Sequence, residues 1–198
     1  MQAFVPFKHA DRPQRVVQLR STLVVSAIQS LRTHGLFDRY VAQLTPKESE
    51  DLLALIAGVW APIEIGLTHY RAVDRLGLDA AQIEAIGGDV ANRVNKSFLS
   101  TVIRASRGVG VTPWTLLGLS HRFRELSWRG SDIAVLQLGP KEARFDWVAQ
   151  PLATVPYFVT SFGGYLRALC GLFCTRAYTR LERGFPHGEC ISYRVSWA

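Results

Sequence analysis

The sequence predicts an α+β domain in which a helical N-terminal half packs on an antiparallel sheet built from two C-terminal hairpins. Three observations carry that prediction. Residues 23–126 repeat apolar positions at helical spacing between recognisable caps. Residues 133–148 and 175–197 read as strand pairs about turn-rich centres, as hairpins do. Between them stands one strongly apolar helix, 156–174, entered at Pro156. Helices gathered ahead of antiparallel hairpins differ from the alternating order of a parallel sheet.

Taken in order, residues 1–14 hold two prolines and no periodicity, which predicts an irregular N-terminal arm and leaves 15–198 as a single α+β domain. Val16, Val17 and Leu19 mark a short strand over 15–20. Leu23, Ala27, Ile28 and Leu31 then share one helix face, with Gly35 as the stop. A short helix is expected over 36–43. Thr45-Pro46-Lys47-Glu48 has the form of a capping box with proline at the first helical position, opening a helix to about residue 57. Trp60-Ala61-Pro62 is expected to restart a helix with Ile63, Leu67, Tyr70, Val73 and Leu76 along its stripe. The longest helix is expected over 80–106, kinked or split at Gly87-Gly88, where each glycine costs about 1 kcal/mol against alanine. Thr112-Pro113-Trp114 caps another helix to about residue 126. In the last strand Ile191, Tyr193, Val195 and Trp197 point one way, and Cys190, Ser192, Arg194 and Ser196 the other.

The composition suits one globular domain: 198 residues, 48% hydrophobic and 20% charged, enough for a sizeable core. A formal charge of +7 favours an anionic partner, although net charge also serves solubility. Three cysteines, an odd number, and an N-terminus without an apolar signal-peptide run lead us to expect reduced thiols and a cytoplasmic protein. The longest apolar runs, 52–67 and 157–174, are interrupted by Pro62, Glu64 and Arg167, so no membrane span is expected.

Catalytic signatures are missing. The chain has no G-x-G-x-x-G, P-loop, G-x-S-x-G or H-E-x-x-H, and no two acidic residues pair as a general acid and base. That pattern leads to a non-enzymatic reading and leaves four kinds of binding site open. Cys170, Cys174, His187 and Cys190 have the residue types of a tetrahedral zinc site, while free cysteines also serve as small buried hydrophobes. His69, on an apolar helix, is a candidate haem ligand or a packing histidine. Arg93, Lys96, Arg104 and Arg107 recur at helical spacing, and Arg122, Arg124 and Arg129 cluster downstream. Such stripes suit an acidic protein partner or phosphates, with no recognisable nucleic-acid motif beside them to favour the latter. Aromatic residues concentrate in the second half. Tyr157, Phe158, Phe162 and Tyr165, with Trp60, His69 and Tyr70, form the expected wall of a small apolar-ligand site.

The leucine-rich helix ending near His34-Gly35, the segment Trp60-Ala61-Pro62-Ile63-Glu64, and the ending Gly188-Glu189-Cys190-Ile191-Ser192-Tyr193-Arg194-Val195-Ser196-Trp197 resemble a bacterial domain family expanded in myxobacteria. That family is itself similar to the 4-vinyl reductase domain and to haem–nitric-oxide-binding-like folds. The resemblance runs from about Val16 to the end. It implies helices over an antiparallel sheet, frequent homodimerisation, and a space for small hydrophobic ligands, haem or acyl chains, or an assembly surface. The chain departs from it at Ala61, where an aromatic is expected, and in lacking a tyrosine-serine-arginine haem signature. Together these readings lead to a sensory or regulatory module that binds a small apolar ligand or a partner protein as a homodimer. It would act by a population shift, with the helices near Gly87-Gly88 as movers.

Overall fold

A computed structural model describes residues 2–9, 11–94, 111–182 and 188–198. In chain order the elements are β1 (Gln2–Val5), β2 (Gln18–Arg20), α1 (Ser21–Thr33), α2 (Phe37–Val41), α3 (Pro46–Leu53), β3 (Trp60–Pro62), α4 (Ile63–Asp74) and α5 (Ala80–Val94). There follow α6 (Pro113–Leu117), α7 (Ser120–Ser127), β4 (Trp128–Arg129), β5 (Asp132–Gly139), β6 (Glu142–Val148), α8 (Pro156–Gly171), β7 (Ala177–Leu181) and β8 (Ile191–Trp197). The α+β class is as the sequence predicts. An antiparallel five-stranded sheet has the order β1-β5-β6-β8-β7, and a small antiparallel sheet has the order β3-β2-β4. Both expected hairpins lie in the large sheet, and β1, from the expected arm, adds an edge strand to β5.

Period-two alternation sets the inner face of that sheet. Ala143, Phe145 and Trp147 on β6 lie opposite Val195, Tyr193 and Ile191 on β8, and all six are buried. Helix α8 crosses this face. Its Phe162 ring lies 4.8 Å from Trp147, 5.9 Å from Tyr193 and 6.0 Å from Phe145 between centroids. Two bonds fix the crossing: the Tyr193 hydroxyl donates to the Val159 carbonyl (2.6 Å) and Thr179 Oγ1 to the Gly163 carbonyl (3.0 Å). At the other end, Asp74 of α4 accepts from the Tyr157 amide (2.8 Å), which places a carboxylate at the positive end of the α8 dipole.

The capping box at Thr45 forms as predicted. The Glu48 amide donates to Thr45 Oγ1 (3.3 Å), and the Thr45 amide donates back to Glu48 (2.8 Å). That backbone bond leads the causes holding the Glu48 carboxyl below its ordinary pKa. Three other expectations are corrected. Trp60-Ala61-Pro62 is extended and pairs with β2; proline disfavours the helical region for the residue before it, so the helix begins at Ile63. The expected helix from Thr112 divides into α6 and α7. Helix α5 runs unbroken through Gly87-Gly88, without the predicted kink or split there. The glycine serves contact instead: a Cβ on Gly87 would stand 1.9 Å from the Ser161 carbonyl oxygen, and one on Gly164 would stand 2.2 Å from that of Glu84. The two helices touch backbone to backbone, which argues against this pair as the moving part.

Candidate functional site

The interior between the helices and the large sheet is built by α8, whose aromatic residues recur at helical spacing along one face. Among the described residues, small cavities lie beside it, two of which share a wall. The first, of about 30 Å³, is lined by Leu23 and Ala27 of α1, Tyr70 of α4, Ile86, Gly87 and Val90 of α5, Phe123, Trp128, and Tyr157, Phe158, Ser161, Phe162 and Tyr165 of α8. The second, also about 30 Å³, is lined by Leu116, Leu117, Leu119, Ser120, Phe123, Phe145, Phe162, Tyr165, Leu166 and Leu169. Phe123, Phe162 and Tyr165 belong to both. The Phe162 and Tyr165 rings stack at 5.6 Å and 8°, and Phe123 lies 5.6 Å from Tyr165, so these three rings form the partition.

Among the described residues, no Asp, Glu, Lys, Arg or His lines either cavity. The polar character comes from neutral groups. Burial pushes the phenols of Tyr70 and Tyr157 well above the ordinary tyrosine pKa, which keeps both protonated. Ser161 spends its hydroxyl on the Phe158 carbonyl (3.1 Å). The Trp128 indole N–H is buried and has no acceptor among the described residues. A buried donor left unpaired costs about 1–3 kcal/mol.

Of the seven residues expected to form a ligand wall, the structure places Tyr70, Tyr157, Phe158, Phe162 and Tyr165 around the first cavity. Trp60 is elsewhere, on the outer face of the small sheet between the guanidinium groups of Arg20 and Arg129, at 4.0 and 4.7 Å. His69 is fully buried but lines neither cavity. Its Nδ1 is hydrogen-bonded to the Tyr40 hydroxyl (3.0 Å), its Nε2 has no partner among the described residues, and burial pushes its pKa down to about 3, so the ring is neutral. Trp128, Phe123, Ile86 and Val90 were absent from the expected wall. The helical periodicity of Ile86 and Val90 marks them as buried, but only the tertiary crossing turns that face toward a cavity.

The expected basic stripe is described only at Arg93, which is exposed and donates to Thr33 Oγ1 (2.9 Å); Lys96, Arg104 and Arg107 lie outside the described residues. Of the downstream cluster, Arg124 is buried and donates to the carbonyls of Gly130 (3.1 Å) and Ser131 (3.2 Å), so it is structural. The candidate metal ligands divide likewise. Cys170 is buried, with its thiol pushed up to about 12 by burial. The Cys174 thiol donates to the Cys170 carbonyl (3.2 Å), Cys190 is half-buried, and His187 lies outside the described residues. Among the described residues, no group of three His, Cys, Asp or Glu is placed to hold a metal ion, and no helix is long and apolar enough to cross a membrane.

No protein-family model matches the sequence, and no curated protein matches it. Solved structures do resemble it in backbone. The Fe(II) unliganded H-NOX protein from K. algicida superposes with a TM-score of 0.64 at 8% identity, covering 90% of this chain and 96% of that one. An oxygen-binding H-NOX domain related to soluble guanylate cyclases gives 0.62 at 12% identity, with coverages of 90% and 94%. A structure from work on haem distortion in the H-NOX family gives 0.64 at 13% identity, also with coverages of 90% and 94%. At such identities the likeness speaks for the backbone alone: the chain shares the fold of H-NOX domains.

Proposed function

We propose that this chain is a non-enzymatic sensory or regulatory module whose aromatic interior takes a small, uncharged, largely apolar ligand. The observation that carries the reading is the pair of cavities that no charged side chain lines among the described residues, parted by Phe123, Phe162 and Tyr165. Apolar walls with a few neutral polar groups are the usual make-up of small-molecule sites. A cavity of about 30 Å³ holds water-sized groups, so a larger ligand requires the partition to turn and the two spaces to merge. The signal is then a population shift between parted and merged packings.

Haem, the group named for two of the structural neighbours, does not fit the described interior. Trp147, Phe158, Phe162 and Tyr165 fill the space, with Phe162 ring spacings of 4.8, 5.8 and 5.6 Å to the other three. The spaces left are about 30 Å³ each, whereas pockets for larger ligands run to roughly 300–1,000 Å³. His69, the candidate haem ligand of the sequence, stands outside both cavities with one ring nitrogen taken by Tyr40.

Titration with indole and with benzaldehyde tests the proposal, read by methyl NMR and by thermal unfolding. Shifts centred on Leu23, Val90, Leu116 and Leu169, with a rise in Tm that grows with ligand concentration, are expected. Silence at millimolar probe, or shifts confined to other regions, would sink it. A stoichiometric Soret band on adding haemin would replace it with a haem reading.

A further inference from the structure

We infer that the outer face of the small sheet is a docking surface for a protein segment that presents carboxylates flanked by apolar side chains. The inference does not depend on the interior ligand. Arg20 of β2 lies directly opposite Trp60 of β3, and Arg129 of β4 lies opposite Gln18. Both guanidinium groups stack on the Trp60 ring, at 4.0 and 4.7 Å from its centroid. Arg20 is held in place by donating to the Leu126 carbonyl (3.3 Å) and the Gly58 carbonyl (3.0 Å), and Arg129 by donating to Gln18 (2.9 Å). Among the described residues, neither arginine is paired with a carboxylate.

Apolar side chains accompany this cationic centre. Ile56 is 73% exposed, Leu126 49% and Val59 46%. Val59 adjoins Trp60 in the chain, Ile56 is in the same loop, and Leu126 is tied to Arg20 by the bond above. Tryptophan and arginine are the residues most enriched where protein interfaces gain their affinity. Arg129 donates through Nη1 alone among the described residues, which leaves its Nε–Nη2 edge for bidentate capture of a carboxylate, with the Arg20 charge beside it.

Charge selects the occupant. A second copy docking by the same face would bring Arg20 and Arg129 close to their own equivalents, which like-charge repulsion opposes. A nucleic-acid backbone would satisfy the arginines but leave Ile56, Val59 and Leu126 against phosphates and sugars. An acidic segment with apolar flanks complements both halves of the patch, and it suits a chain of net charge +7.

Selection from a random twelve-residue peptide library against the full chain tests this. The expected result is enrichment of sequences combining Asp or Glu with large apolar residues. Binding of the enriched peptide should fall at least about tenfold in Arg129→Glu and in Trp60→Ala. Arg129→Glu changes an exposed side chain, and near-ultraviolet circular dichroism verifies that each variant is folded. Affinity for the enriched peptide should also fall with added salt. No enrichment, enrichment of basic or neutral sequences, or binding that both folded variants retain would overturn the inference. So would a twelve-nucleotide single strand binding more tightly than the peptide and being lost in Arg129→Glu. A concentration-dependent dimer in sedimentation equilibrium that Arg129→Glu abolishes would assign the face to a second copy and overturn it too.

Discussion

His69 shows how burial changes what a residue can do. Its neutral ring, bonded to Tyr40 and edge-on to Tyr70 at 4.9 Å, is a core group whose protonation opposes folding. The folded pKa, about 3, lies below the ordinary 6.5, so the unfolded chain binds the extra proton between those values. The stability held above pH 6.5 is therefore lost progressively as pH falls toward 3, at up to about 1.4 kcal/mol per pH unit. Urea unfolding from pH 7.5 to 4.5 should show this slope, and His69→Phe should reduce it by about one proton. Asp146 is a buried polar residue whose partners are present. It is buried on the other face of β6, where it accepts from Ser192 (2.6 Å) and Arg144 (3.0 Å). This explains why Ser192 is buried although it points away from the core face as the alternation predicts.

Among the elements, the contact of α5 with α8 is the most demanding. Gly87 and Gly164 each stand where a Cβ would overlap partner backbone, while a Cβ on Gly88 would meet the Ala168 Cβ at an ordinary 3.7 Å. Neighbouring glycines should therefore respond oppositely. Gly87→Ala should cost about 3 kcal/mol or more by overpacking, and Gly88→Ala should be neutral or gain about 0.5–1 kcal/mol from helix propensity. Chemical denaturation of both variants measures the difference, and equal effects would contradict the backbone contact. Composition shows only that glycine is costly in a helix. Which of two adjacent glycines is required depends on the side of the helix that meets Ser161.

For the molecule as a whole, Phe162 joins the sheet, α8 and both cavities. Truncating it to alanine should destabilise the fold by about 3–5 kcal/mol, since its ring contacts Trp147, Tyr193 and Tyr165. The same change should merge the cavities, so indole should restore part of the lost stability. Urea midpoints with and without indole read both effects. A Phe162→Ala protein that indole does not stabilise would show that the two spaces do not form one site.

Much of this protein follows from local rules. The capping box at Thr45, both hairpins and the inward set Ile191, Tyr193, Val195 and Trp197 are legible because each rests on residues close together in the chain. So is the aromatic face of α8, of which Tyr157, Phe158, Phe162 and Tyr165 reach a cavity. Other features exist only once distant segments meet. Proline at 62 interrupts a helix in favour of a strand that needs β2 as its partner, and Trp60 thereby leaves the expected wall for the outer face. Trp128 and Phe123 join the cavity from β4 and α7, and burial decides that His69 is neutral. Sequence periodicity determines which side of each element is apolar. Tertiary structure decides what that side meets, because backbone crossings, ring stacking and desolvation all depend on contacts between residues far apart in the chain.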